Sequence, residues 1–215
     1  MTRMTQTIRR YGRDFAPDPR DYAMTPVAST RRRRKWRDNQ WSGDQGQTPH
    51  CVGFAWAHWL ASSPVSQFLD PHGIHELAQH LDEWEGTDYD GTSVRAGAKV
   101  LARVGHGAEY RFTVDEAVLR GNVLEVGPVV IGVNWYAGMD EPDRDGLVKP
   151  TGRLRGGHAL LIVGYEPGFY WLKQSWGLAW GKSGHCLIAD EDVQTLLDED
   201  GEACLAVEKQ VRVPR

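Results

Sequence analysis

Residues 44–61 read DQGQTPHCVGFAWAHWLA. The first part is a loop by composition, with Gly46 and Pro49 interrupting any regular pattern. From Cys51 to Ala61 the chain is mostly apolar and reads as a buried helix, with Pro49 near its first turn. This junction puts the Cys51 thiol at a helix N-terminus, whose partial positive charge favours the thiolate; burial in an apolar face has the opposite effect. A lone cysteine in such a place is more often a packing residue, so Cys51 needs a partner to carry chemistry.

The partner lies far downstream. His158 follows Arg155, Gly156 and Gly157 and opens the apolar run Ala159–Tyr165. Alone it reads as a hydrogen-bonded residue at a strand end. With Cys51 it is the imidazole that a thiolate needs, both to hold the ion pair and to protonate a leaving amine. Residues 173–181, KQSWGLAWG, add an amide at Gln174 and an indole at Trp176. These suit an orienter of the His158 ring and a shield for its hydrogen bond; the other reading is a Gly/Trp turn that only packs.

Around these segments the pattern is helical first and β-rich later. Helices are predicted over Ile74–Glu85, Ser93–Val104 and Asp115–Leu124. Strands are predicted at Pro128–Trp135, His158–Tyr165, Phe169–Gln174, His185–Ala189 and Ala203–Val213. That order predicts an α+β chain with two segregated lobes. With 215 residues, 40% apolar and nine tryptophans, the chain carries a sizeable core and is not disordered throughout. No apolar run is long enough for a membrane helix. Residues 1–37 hold 11 Lys+Arg against 3 Asp, net +8, which leaves 14 against 26, net −12, for the remainder. An acidic body argues against nucleic-acid binding by the globular domain. The basic run Arg31–Arg37 fits either a nucleic-acid or localisation patch or a solvated linker. Residues 1–35 therefore read as a basic arm and 36–215 as one domain, with a helical lobe over about 45–105 and a β-rich lobe over about 110–215. Three cysteines, Cys51, Cys186 and Cys204, make no disulfide framework. With no secretory signal in view, the expected setting is cytoplasmic. The sequence carries no signal for oligomeric state.

The segment Asp44–Ala55 resembles the catalytic segment of papain-like cysteine peptidases. Gly157-His158-Ala159 with Val163-Gly164-Tyr165 resembles that family's histidine strand. Ser175-Trp176-Gly177 with Trp180-Gly181 resembles its Asn-Ser-Trp-Gly segment, and Asp90–Arg95 its substrate-binding glycine segment in bacterial members. The resemblance implies a two-lobed fold with the cleft between the lobes. It casts Cys51 as nucleophile, His158 as its partner, Gln45 as an oxyanion donor, Gln174 as the orienter of His158, and Trp176 as the cover of that contact. Gly91, Gly157 and Trp176 are placed against a peptide or protein substrate, and no cofactor is implied. Gln174 stands where the family has Asn, one methylene shorter, and Val52 where it usually has Trp. The same resemblance leaves two rival readings open: a weak or inactive peptide-binding module, and a Cys-dependent amide hydrolase or acyl transferase on a non-protein substrate.

Three further expectations follow. The run His75–His80 nearly matches a zinc-protease helix, but its i,i+5 spacing separates the rings by about 140°, so no metal is expected and both histidines read as exposed. In papain-like enzymes the pocket beside the histidine takes the side chain two residues before the cleaved bond. Gly157, Ala159 and Val133 are uncharged, so apolar side chains are expected there. Last, the basic arm is expected to pack across the acidic body and occlude the cleft by charge attraction.

Overall fold

The computed structural model describes residues 9–19, 21, 23–38, 41–107 and 109–207. Its centre is an antiparallel sheet. Strands β2 (Glu109–Thr113), β3 (Val129–Tyr136), β4 (Leu154–Glu166), β5 (Phe169–Lys173), β6 (His185–Ala189) and β7 (Glu202–Val207) run in the order β2-β7-β3-β4-β5-β6, and β1 (Arg34–Lys35) pairs with β4. Helices α1 (Cys51–Ala61), α2 (Pro71–Gln79) and α3 (Val94–Arg103) form the helical part, and α4 (Glu116–Glu125) and α5 (Asp190–Asp198) complete the five.

Strand periodicity explains why both faces of the sheet are covered. Side chains alternate across a strand. On β4, Leu160 and Ile162 join a core with Ile131, Val133 and Leu205 and with Leu119 and Val123 of α4. The intervening Ala159, Leu161 and Val163 join a second core with Trp56, Leu60, Ile74 and Leu101 of α1–α3. An apolar sequence without polar alternation, as in Ala159–Val163, is what a strand buried on both faces requires. Every residue of α1 is buried, so the near-continuous apolar run from Cys51 has the same cause.

Helix ends follow their caps. Asp70 accepts from the Gly73 amide and Pro71 opens α2, which ends at Gln79 rather than Glu85. Ser93 and Asp115 cap α3 and α4 in the same way. The predicted strand Ala203–Val213 is seen as β7, and residues 208–213 lie outside the described residues. The basic run is no free linker: Arg34 and Lys35 pair with Tyr165 and Gly164 of β4, and Arg31 reaches Glu125 at 3.1 Å. Cys186 and Cys204 are fully buried and unpaired, one in each core. Among the described residues no helix is long and apolar enough to cross a membrane.

A buried ion network anchors the end of β5, next to Gln174. Lys173 Nζ and His185 Nε2 each lie 2.7 Å from Asp38 Oδ2. Burial alone raises the Asp38 carboxyl, but its hydrogen bonds and charge contacts with His185 and Lys173 outweigh this and hold it well below the usual carboxylate range. Lys173→Met removes one cation from this site and is expected to cost about 3 kcal/mol of stability, read by urea unfolding. A loss under about 0.5 kcal/mol would class the pair with ordinary surface ion pairs.

Candidate active site

Cys51 is the first residue of α1 and His158 lies on β4 opposite Val133. Both are completely buried. The backbone amides of Ala159, Gly12 and Val52 point at the Cys51 thiol, which places Sγ where α1 meets the strand that carries His158. Gln174 follows β5, and its Oε1 is 2.7 Å from His158 Nε2. The same oxygen accepts from the Ser175 amide at 3.1 Å. A backbone N–H can only donate, so this atom is the oxygen of the amide and His158 Nε2 carries the proton. The other ring nitrogen, Nδ1, is buried with no partner among the described residues and is left as an acceptor.

Aromatic rings wall the histidine. Trp176 stacks on it at 5.2 Å and 27°, and Trp135 meets it edge-on at 5.0 Å. Asp140 fixes this wall: Oδ1 accepts from Trp135 Nε1 at 3.2 Å and its backbone carbonyl from Trp180 Nε1 at 2.8 Å. Gln45 sits against the Ser175 segment, its Oε1 accepting from Ser175 Oγ and its backbone N–H donating to the Ser175 carbonyl at 2.8 Å. Thus the structure gathers Cys51, His158, Gln174, Gln45 and Trp176 around one junction.

Residues 9–14 of the arm run through that junction. Gln45 Nε2 donates to the Arg10 carbonyl at 3.1 Å. Tyr11 lies edge-on to the His158 ring at 5.7 Å. Arg13 N–H donates to the Gly157 carbonyl at 3.1 Å, Thr92 N–H to the Gly12 carbonyl at 2.9 Å, and Asp14 N–H to the Thr92 carbonyl at 3.0 Å. Gly91 has φ of +93°, and a Cβ there would lie 2.8 Å from the Gly12 carbonyl. The arm therefore occupies the backbone positions beside Gly91 and Gly157 that were assigned to substrate. The backbone N–H of Gly12 points at Sγ. Gly12 is obligatory here, because a Cβ would stand 1.7 Å from the Pro49 carbonyl. Charge alone does not place this segment, contrary to the electrostatic expectation; backbone hydrogen bonds set its register.

Burial under the arm decides protonation. Desolvation pushes the Cys51 thiol up to about 11 and the His158 imidazole down to about 4. Both shifts favour the neutral thiol and imidazole over the ion pair.

One sequence expectation needs correction. His75 is buried, not exposed; it stacks on His50 at 4.0 Å, and His50 Nδ1 is 2.7 Å from His72 Nδ1. His80 is exposed and caps α2, away from buried His75, and among the described residues no three His, Cys, Asp or Glu are arranged to hold a metal ion. Glu202 of β7 stands behind Gly132 and binds Arg13. Sequence reading missed Glu202 and Asp140. Both act through contacts remote in sequence, and neither sits in a motif.

The family described as "Papain family cysteine protease" matches residues 69–204, a stretch with His158 and Gln174 but without Cys51. A cathepsin B-like cysteine proteinase 2 of Haemonchus contortus is 26% identical over 157 residues, 62% of this chain and 46% of that protein. A cathepsin B-like cysteine proteinase 3 of Ostertagia ostertagi is 36% identical over 80 residues, 35% of this chain and 45% of that protein. The chain thus spans under half the length of these relatives. Among solved structures, xylellain, a cysteine protease from Xylella fastidiosa, superposes with a TM-score of 0.75 at 18% identity, covering 98% of this chain and 99% of that one. Bromelain from Ananas comosus, in complex with the E64 inhibitor, gives 0.65 at 15%, covering 84% and 100%.

Displacing the arm should restore water to the thiol and lower its pKa. Gly12→Leu, which drives a side chain into the Pro49 carbonyl, is expected to raise iodoacetamide labelling of Cys51 at pH 7 by roughly 10–100-fold. The labelling–pH curve should move to lower pH from one that climbs toward about pH 11. Identical curves for the two proteins would mean that the arm does not control the thiol.

Proposed function

This chain belongs to the papain family of cysteine proteases, and we propose that it hydrolyses peptide bonds in peptide or protein substrates with Cys51 as nucleophile and His158 as its acid–base partner. The observation that carries the reading is the 2.7 Å bond from His158 Nε2 to Gln174 Oε1. It fixes the tautomer in which Nδ1 holds a lone pair, the one that takes the thiol proton. The additional methylene of Gln174 does not prevent the contact, and no observation favours an inactive module.

The steps follow from the geometry. A substrate replaces the arm and sets its carbonyl oxygen on Gln45 Nε2, where the Arg10 carbonyl rests now, and on the Cys51 backbone N–H. The Cys51 proton passes to His158 Nδ1 as Sγ attacks the carbonyl carbon. The imidazolium then protonates the leaving amine, giving a thioester. Water, deprotonated by His158, hydrolyses the thioester and returns the thiol. Gln174 keeps the ring in place throughout, and the Trp176 and Trp135 rings keep bulk water off its hydrogen bond. We also propose a reducing, cytoplasmic setting, because the reaction needs Cys51 as a free thiol.

Cys51→Ser is expected to abolish peptide hydrolysis, while Cys186→Ser leaves turnover nearly unchanged. Gln45→Ala should lower turnover by about 10²–10³ with little change in Cys51 labelling by small reagents. Gln174→Ala should lower kcat through loss of ring orientation, and Gln174→Asn should retain more activity than Ala. Equal kinetics for wild type and Gln174→Ala would remove Gln174 from the mechanism.

A further inference from the structure

The basic run Arg31–Arg37 takes no part in the candidate active site, yet the fold holds it in place. Arg34 pairs with Tyr165 across β1 and β4. Its guanidinium stacks on Trp36 at 3.5 Å and donates from Nη1 to the Leu124 carbonyl of α4 at 3.3 Å. Trp36 Nε1 donates to the Val123 carbonyl of the same helix at 2.7 Å. Arg31 and Arg32, just before this anchor, border a cavity of about 380 Å³ that is closed on its other side by Arg120, Leu124 and Tyr165. Tyr165 and His158 stand seven residues apart on β4, so the cavity lies about 20 Å along the strand from the active site.

Guanidinium donors outnumber the acceptors there. Glu125 accepts from Ser29 Oγ on Oε1 at 2.6 Å and meets Arg31 Nε on Oε2 at 3.1 Å. Glu116 accepts from the Tyr170 hydroxyl on Oε1 at 2.5 Å and meets Arg120 Nη1 on Oε2 at 3.4 Å. Both oxygens of each carboxylate are thus engaged, and Asp190 stands 3.9 Å from Arg120, outside hydrogen-bond reach. A guanidinium carries five N–H donors, so Arg31 and Arg120 keep donors to spare. Arg32 is exposed and forms no ion pair among the described residues. The carboxylates are also the deeper partners. The Glu116 and Glu125 side chains are 13% and 25% exposed, against 37% and 52% for Arg120 and Arg31. Cationic ends therefore stand nearer to solvent than the acids that balance them. The crowding reaches Arg34, whose pKa is lowered by burial first and by the charge of Arg31 next.

We propose that this cavity is a binding site for a small organic phosphate monoester, held by Arg31, Arg32 and Arg120. A phosphate monoester has nearly two negative charges at pH 7 and three acceptor oxygens. Its tetrahedral head takes donors from three directions, whereas a carboxylate takes a single fork. The cavity has room for more than that head, and Val27, Leu124 and Pro167 offer apolar surface to the organic part. The site is separate from the peptidase chemistry and stands whether or not Cys51 is the nucleophile.

Isothermal titration of the full chain with phenyl phosphate and with inorganic phosphate, each against sodium chloride at matched ionic strength, tests the assignment. Saturable one-site binding of phenyl phosphate is expected, about fivefold or more tighter than inorganic phosphate through burial of part of the ring. Arg32→Gln is the main variant, because Arg32 has no partner in the fold whose loss would disturb it. It should weaken phenyl phosphate by about tenfold, the worth of one charge-assisted pair, and Arg120→Gln should do the same. Arg33→Gln removes an equal charge from an exposed residue outside the cavity lining, and it should change the affinity by less than about twofold. Three results would overturn the site: heats no different from the chloride blank, equal affinity in wild type and Arg32→Gln, or a loss in Arg33→Gln as large as in Arg32→Gln. Equal affinity for the two phosphates would overturn the organic part of the ligand.

Discussion

Water is kept away from the place where α1 meets β4, and the state of every reactive group there follows from that exclusion. Cys51 and His158 have no exposed surface. In such a medium separated charges are expensive, so burial pushes the thiol toward keeping its proton and the ring toward the neutral form. The elements that exclude water are the two tryptophans around His158, the amide of Gln174, and the arm segment Arg10–Arg13. Of these the arm segment touches the sheet–helix cores only through Tyr11, which packs against the α4 side. It is the one removable wall, so the same contact that seals the site is the contact a substrate has to replace.

How the arm is held bears on how it leaves. Arg10 pairs with Asp90, both half-exposed, and Arg9 reaches Glu141 across a 3.3 Å contact in which Glu141 is 71% exposed. Exposed pairs of this kind contribute little and weaken with salt. The strong terms are short-range: four backbone-directed hydrogen bonds around Arg10–Asp14 and the Arg13–Glu202 pair. The acidic body attracts a basic segment, but the register in which that segment lies comes from Gly12 and the carbonyls of Gly157 and Thr92.

The reacting residues were legible because each sits at a break in pattern. Cys51 begins an apolar helix after a loop, His158 opens an apolar strand after two glycines, and Gln174 precedes a Trp/Gly turn. Where burial is two-sided the sequence loses its period, which hides strand identity but not strand position. β2 was not read because all five of its residues are half-buried, giving no alternation. α5 was not read because only Val193, Leu196 and Leu197 mark its buried side in an acidic stretch. Glu202 and the register in which the arm is seated were beyond reach for a different reason. Their meaning lies in a contact between residues 189 apart, and neither end carries a local signature.

The central claim is that the seated arm holds His158 neutral, with its proton on Nε2. The ring ¹⁵N shifts of His158, followed by NMR in the full-length protein from pH 8 to pH 4, test it most directly. The account predicts a neutral ring protonated at Nε2 across that range, gaining its second proton only near pH 4. A ring carrying both protons at pH 7 would contradict it.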